Sequence, residues 1–356
     1  MSIIQENRFD KVVPLFWSDK NDKMKKHKFF CCVLTLVSFL TQGQSYHFSQ
    51  FFSTPLLTNP AHTGLIDGPY RVASNLRSQG KFSTNNFFTG YVSGDVRFLE
   101  NNLPNGHKAG AGIFLMTDRS MSGASQTNSL GVSAAYHVGF DEYDTHSLGL
   151  GFQATFNQRR IDFNRLSFGS QFGNDGFDAT LPTGESLNNI NRNYFDVNAG
   201  LMYNGNFEDK SFFLGGSVYN ILRQKNNVMT EDFKMPTRYV LQAGGQVFVG
   251  GYGKIYLSLT NMGQAGANET TAGGAFGLQL TDSDVRNEVS LGMWYRYKDA
   301  VIPYVGYFYQ GFQLGLSYDY TLSSLKTATQ VRNAYELTLL FKASDKSTLK
   351  TLIPWY

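Results

Sequence analysis

Ser133 and His137 stand four residues apart in a segment whose apolar residues alternate, so both belong to one face of a strand. A serine nucleophile beside a histidine base, oriented by a third group, is the chemistry of an ester hydrolase. Ser133 is the only serine four residues back on that face, and the competing reading is a histidine that hydrogen-bonds in an interior. His47, His62, His107 and His146 form no pair at metal-ligand spacing. Gly149-Leu150-Gly151 with Ala154 imitates a dinucleotide fingerprint. That motif needs a strand ending at the glycines and a helix beginning there. Here the alternation runs straight through, and the glycines read as room for packing. Asp175, Asp178 and Glu185, beside Asn174 and Gly176, offer oxygen ligands for Ca²⁺, but without EF-hand spacing a solvated loop is the default. Both cysteines, Cys31 and Cys32, lie in the leader described below, which leaves no thiol chemistry after it. These residues call for no catalytic group, no cofactor and no metal.

The elements that carry them say more. Leu148, Leu150, Phe152, Ala154 and Phe156 alternate with Gly149, Gly151, Gln153, Thr155 and Asn157. The period is two, and the non-apolar face is small or neutral, not charged as in a soluble sandwich. The pattern recurs at 130–138, 195–203, 276–280 and 314–320. Such strands suit an all-β fold, a transmembrane antiparallel β-barrel. Phe, Tyr and Trp make up 15% of the 356 residues, as interfacial girdles would require. Alternation also hides membrane strands from averaged hydropathy.

Residues 24–45 read as a signal peptide: Lys25, Lys26 and Lys28, an apolar run over 29–40, and cleavage near Ser45 after Gly43-Gln44. Residues 1–23 are charged and unpatterned, either upstream of a true start at Met24 or an extended leader. Residues 1–45 hold 7 of the 31 Lys/Arg and 4 of the 28 Asp/Glu, so the remainder carries 24 of each. A neutral mature chain has no electrostatic footprint for nucleic acid.

Residues 46–69 form a lead-in that is not a strand, because Pro55 and Pro60 forbid one and Asn59-Pro60 is turn chemistry. Its Phe48, Phe51, Phe52 and Leu56 are costly to leave in water, at about 1.5–3 kcal/mol each. The expectation is that Phe48, Gln50, Phe51, Phe52, Leu56, Asn59, Pro60 and Gly64 pack at the periplasmic mouth and bind a partner; a plug that fills the barrel is the alternative. The barrel, about 14 strands, spans 70–343, and 344–356 is a periplasmic tail. Long connections are expected at 158–193, 221–236, 261–271 and 321–334, all after odd strands and so outside the cell, with 100–108 after an even strand as the longest exception. Asp95, Arg97, Arg296, Glu336 and Lys342 should face the lumen, with Phe114, Met116, Trp294 and Tyr307 helping to fill it. Tyr335, Leu337, Leu339 and Phe341 make a last strand that ends on an aromatic residue.

Ser49-Gln50-Phe51, Pro55-Leu56, Asn59-Pro60-Ala61, Gly64 and Arg77-Ser78-Gln79 together resemble the PorP/SprF family. So do 315–320, Gly-Leu-Ser-Tyr-Asp-Tyr, and 332–337, Arg-Asn-Ala-Tyr-Glu-Leu. His62 and Gly80 depart from it, each where an aromatic is expected. The resemblance implies an outer-membrane component of the type IX secretion system of Bacteroidetes, some members of which support gliding motility. It implies contact with outer-membrane lipid, with periplasmic and lipoprotein components, and with a large secreted surface protein. A diffusion or uptake channel for small, apolar solutes is the second expectation.

Overall fold

The computed structural model describes residues 47–80, 87–99, 102–141, 145–173, 176–178, 180–184, 189–223, 234–281, 286–323 and 333–343. The leader, Tyr46 and the 344–356 tail lie outside the described residues.

The strands are β1 (Tyr70–Gln79), β2 (Phe87–Phe98), β3 (Lys108–Ser120), β4 (Ser125–Gly139), β5 (His146–Ile161), β6 (Phe172–Gly173), β7 (Gly176–Phe177) and β8 (Ile190–Asn206). They continue with β9 (Lys210–Tyr219), β10 (Arg238–Val249), β11 (Gly253–Gln264), β12 (Ala267–Gln279), β13 (Asn287–Arg296), β14 (Ala300–Tyr309), β15 (Phe312–Thr321) and β16 (Ala334–Lys342). β6 and β7 pair only with each other, inside the β5–β8 connection. The other fourteen close into an antiparallel barrel in chain order, β1 meeting both β2 and β16. Closure satisfies every strand edge, which lipid demands. Among the described residues, no helix is long and apolar enough to cross a membrane.

Alternation sets the two faces. On β5, Leu150 and Phe152 are exposed to the outside of the barrel while Gln153 is 2% exposed within it. The connections at 162–189, 220–237 and 322–333 all leave one end, and the turns joining β8 to β9, β10 to β11 and β14 to β15 are tight at the other. The three longest connections share one end, which marks it as the outer one, although β11–β12 and β13–β14 turn tightly there and the 99–107 connection lies at the other end.

Two expectations change. The 261–271 stretch is not a loop: β11 and β12 run through it and turn at Ala265-Gly266, whose φ angles of 52° and 82° suit a two-residue hairpin. Its polar run disguised the ladder, in which Asn261 donates to Asn268 Oδ1 and Thr270 Oγ1, both at 2.7 Å. Tyr307 faces outward at 41% exposure, while Tyr304 and Phe308 take the interior. Aromatics on both faces of β14 left its parity ambiguous.

The lead-in, expected either at the periplasmic mouth or as a plug, takes the second place. It runs through the lumen as three short turns: 3-10 at Phe51–Ser53, α at Pro55–Thr58 and 3-10 at Pro60–His62. Pro55 and Pro60 open their turns, where a missing N–H costs nothing. His47 lies 3.6 Å from Glu269, near the outer end of β12. Gly64, near the other end, donates its N–H to Asp95 at 2.8 Å. β1 starts at the periplasmic end, so a segment that feeds it after crossing the lumen must begin at the outer end. Residues 48–66 are buried without a break.

Candidate functional site: the lumen plug

At the outer end, four strands converge on Ser49 and Gln50. The Glu336 carboxylate on β16 accepts the N–H of Ser49 at 2.6 Å and of Gln50 at 2.8 Å. Arg77 on β1, directly opposite Glu336 in the β1–β16 register, donates to Glu336 and, at 3.0 Å, to Asp319 on β15. Arg296 on β13 reaches the same Asp319 oxygen at 3.0 Å and also the Ser49 hydroxyl. Ser49 donates to Asp319 at 2.7 Å. Arg296 also meets Glu269 at 3.5 Å and the more exposed Asp299 at 3.2 Å, so both buried guanidinium groups are paired, as burial of charge requires. The Gln50 side chain donates to Ser317 and accepts from Thr338.

The middle of the plug is apolar. Phe52 packs on Trp294 with ring centroids 4.9 Å apart and edge-on to Tyr304 at 5.6 Å; Phe51 packs edge-on to Phe52. Phe48 and Leu56 belong to a second cluster with Tyr91, Phe114 and Met116. Gln153 donates to the Leu56 carbonyl at 2.8 Å while accepting from Asn198. This answers the periodicity of β5: its inward polar residue serves plug backbone.

The Asn59–Gly64 stretch lies in notches cut by glycines. A Cβ on Gly200 would come within 1.9 Å of Asn59 Oδ1, and one on Gly151 within 2.3 Å of the Pro60 carbonyl carbon. Gly110 and Gly64 meet backbone to backbone, where either Cβ would approach within 2.5 Å. Asn59 accepts from the Ala61 N–H and donates to the Leu201 carbonyl at 3.0 Å, so it caps its own turn and docks on the wall. The Gly149-Leu150-Gly151 run is thus a notch for His137 and Pro60.

The periplasmic end is pinned by charge. Arg71 donates to both oxygens of Asp95, at 2.9 and 2.8 Å, and to the His62 carbonyl at 3.0 Å. Ser133 and His137 are both buried and both meet Thr63: its hydroxyl donates to Ser133 at 2.8 Å, and His137 Nε2 donates to its carbonyl at 3.2 Å. The histidine hydrogen-bonds in the interior.

Asp95, Arg296 and Glu336 are buried as expected, and Arg97 and Lys342 are half-buried. Asp175, Glu185 and Asn174 lie outside the described residues. The Thr180 hydroxyl and N–H hold the exposed Asp178 carboxyl below the usual carboxylate range. Among the described residues, no group of three His, Cys, Asp or Glu side chains could hold a metal. Sequence reasoning missed Arg71 and Asp319 as lumen groups; in the structure Arg71 faces inward with Ala73 and Asn75, and Asp319 with Ser317, so parity was the signal that could have found them.

The residues that carried the resemblance, Ser49, Gln50, Arg77, Asp319 and Glu336, come from four separate stretches and meet in one cluster. A family model of the type IX secretion system membrane protein PorP/SprF matches residues 40–341. The chain belongs to the PorP/SprF family. The PorP/SprF fold is similar to that of the Pseudomonas putida toluene transporter TodX, at 9% identity and a TM-score of 0.48 over 83% of this chain and 93% of that one. It is also similar to a Pseudomonas aeruginosa FadL homologue, at 9% identity and a TM-score of 0.44 over 80% and 92%. No curated protein matches the sequence. Barrel and family together make this PorP/SprF chain an outer-membrane protein of a secretion system.

Proposed function

We propose that this PorP/SprF protein is a closed, non-enzymatic barrel that supports secretion or surface anchoring of partner proteins through protein contacts. The observation that carries this reading is the unbroken burial of residues 48–66 inside the barrel. A lumen filled by buried ion pairs and stacked aromatics supports a scaffold over a diffusion channel for apolar solutes. The partners are periplasmic and lipoprotein secretion components at the short-turn rim, and a large secreted surface protein at the long-loop rim. Members of such machinery also serve gliding, and this chain is proposed to do the same.

Phe48, Gln50, Phe51, Phe52, Leu56, Asn59, Pro60 and Gly64 serve partner binding by holding the barrel shut and its rims in place. Direct contact with a partner requires the segment to leave the lumen. Deleting residues 48–56 behind an intact signal tests the reading. A barrel that still gives a heat-modifiable band while copurification of partners and secretion fail supports it; normal secretion overturns it.

A further inference from the structure

Beyond the lumen, the outer wall of β1–β5 departs from a plain lipid-facing surface. Successive hydrogen-bonded rows, read toward the outer end, change character in order. Leu115, Leu130 and Phe156 are direct neighbours across β3, β4 and β5. The next outward row is Thr117, Asn128 and Gln158, in which Thr117 donates to Asn128 at 2.9 Å. The row after that is Arg119, Gln126 and Arg160, with both arginines exposed. An aromatic girdle is the ordinary residue set at such a boundary; here two cations flank one strand.

Beneath the arginines is a concavity of about 630 Å³. Its floor is made by small residues, Ser74 and Gly90, where their neighbours Leu76, Phe88, Val92 and Leu115 are large. Its rim is Asn128 and Gln158. Arg119 and Arg160 sit on strands two apart, about 10 Å between backbones at the usual spacing, so their long side chains can close on one anion. Guanidinium forks suit phosphate and carboxylate oxygens. The neighbouring acids are engaged elsewhere: Asp118 turns inward and accepts from Thr89 at 2.7 Å, and Asp162 pairs with Arg165 at 3.4 Å.

We infer that this wall binds an anionic, acylated lipid of the outer leaflet, with an acyl chain in the concavity and its headgroup between Arg119 and Arg160. The occupant follows from order: an apolar trough, a hydrogen-bonding rim and a cationic cap run along the membrane normal in the sequence of chain, linkage and headgroup. Tyr91 and Met116, which back the concavity, also pack with Phe48 and Leu56 of the plug.

The test uses the full-length barrel in detergent and native mass spectrometry, with bis-phosphorylated hexa-acyl lipid A as probe. Wild type should retain the probe. Its dephosphorylated form should bind about tenfold more weakly, as expected when charge-assisted hydrogen bonds are lost. Arg119→Gln with Arg160→Gln should weaken the phosphorylated probe to a similar degree. Leu130→Trp, which fills the trough and keeps the arginines, should also weaken it. A heat-modifiable band verifies assembly of each variant, and the comparison of the two probes needs no variant. Equal retention of both probes by wild type, or of the phosphorylated probe by wild type and the double-glutamine variant, overturns the inference.

Discussion

Glu336 on the last strand takes the backbone N–H of Gln50 at 2.8 Å, tying the seam that closes the barrel to the segment that fills it. The same carboxylate receives Arg77 from the first strand. Removing one partner of a buried ion pair costs about 3–5 kcal/mol. Glu336→Ala should therefore lower the unfolding temperature and expose the outer part of the plug to protease, with Glu336→Gln milder. An unchanged melting and cleavage pattern in Glu336→Ala would separate plug from seam.

Glycine notches give a second expectation. Gly200→Ala puts a methyl group against Asn59 Oδ1, whose side chain is held by the Leu201 carbonyl. Overpacking of this kind costs about 1–3 kcal/mol. Gly173→Ala, with nothing within 4 Å, should be silent in the same thermal assay. Equal stability of the two variants contradicts the close fit of Asn59.

The two faces of β5 should respond differently. Leu150→Arg places a charge on the lipid face at a cost of about 2–4 kcal/mol near the midplane and should impair assembly. Gln153→Arg, on the inner face, breaks the bonds to Leu56 and Asn198 and is a plug-loosening variant that still assembles. Yield of heat-modifiable barrel distinguishes them, and equal losses would contradict the assignment of faces.

Orientation is open to labelling. A cysteine replacing Asp178 in the β5–β8 connection should react with impermeant reagent on whole cells, and one replacing Asp209 in the β8–β9 turn should not. The reverse result inverts the barrel and the direction of the plug.

Period-two alternation made the barrel and its strand number legible, because one lipid face per strand leaves a regular apolar trace. Strand lengths were read short on β5 and β8, since Gln158, Arg160, Asn191 and Asn193 continue the ladder above the apolar band. Prolines showed that the lead-in is not a strand, but not where it goes. Its path depends on Gly110, Gly151 and Gly200; Gly151 reads as room for packing, but Gly110 and Gly200 read in their own strands as unremarkable small residues. The notch appears only when the barrel brings them around Asn59, Pro60 and Gly64. The ion cluster was equally hidden: Ser49, Arg77, Asp319 and Glu336 are scattered along the chain, and only closure of β1 on β16 unites them.

The central claim is that residues 48–66 close the lumen, and single-channel conductance in a planar bilayer measures it most directly. Wild-type barrel should show no steady conductance, and a barrel lacking residues 48–65 should open stable channels. Wild-type conductance equal to that of the deletion variant would contradict it.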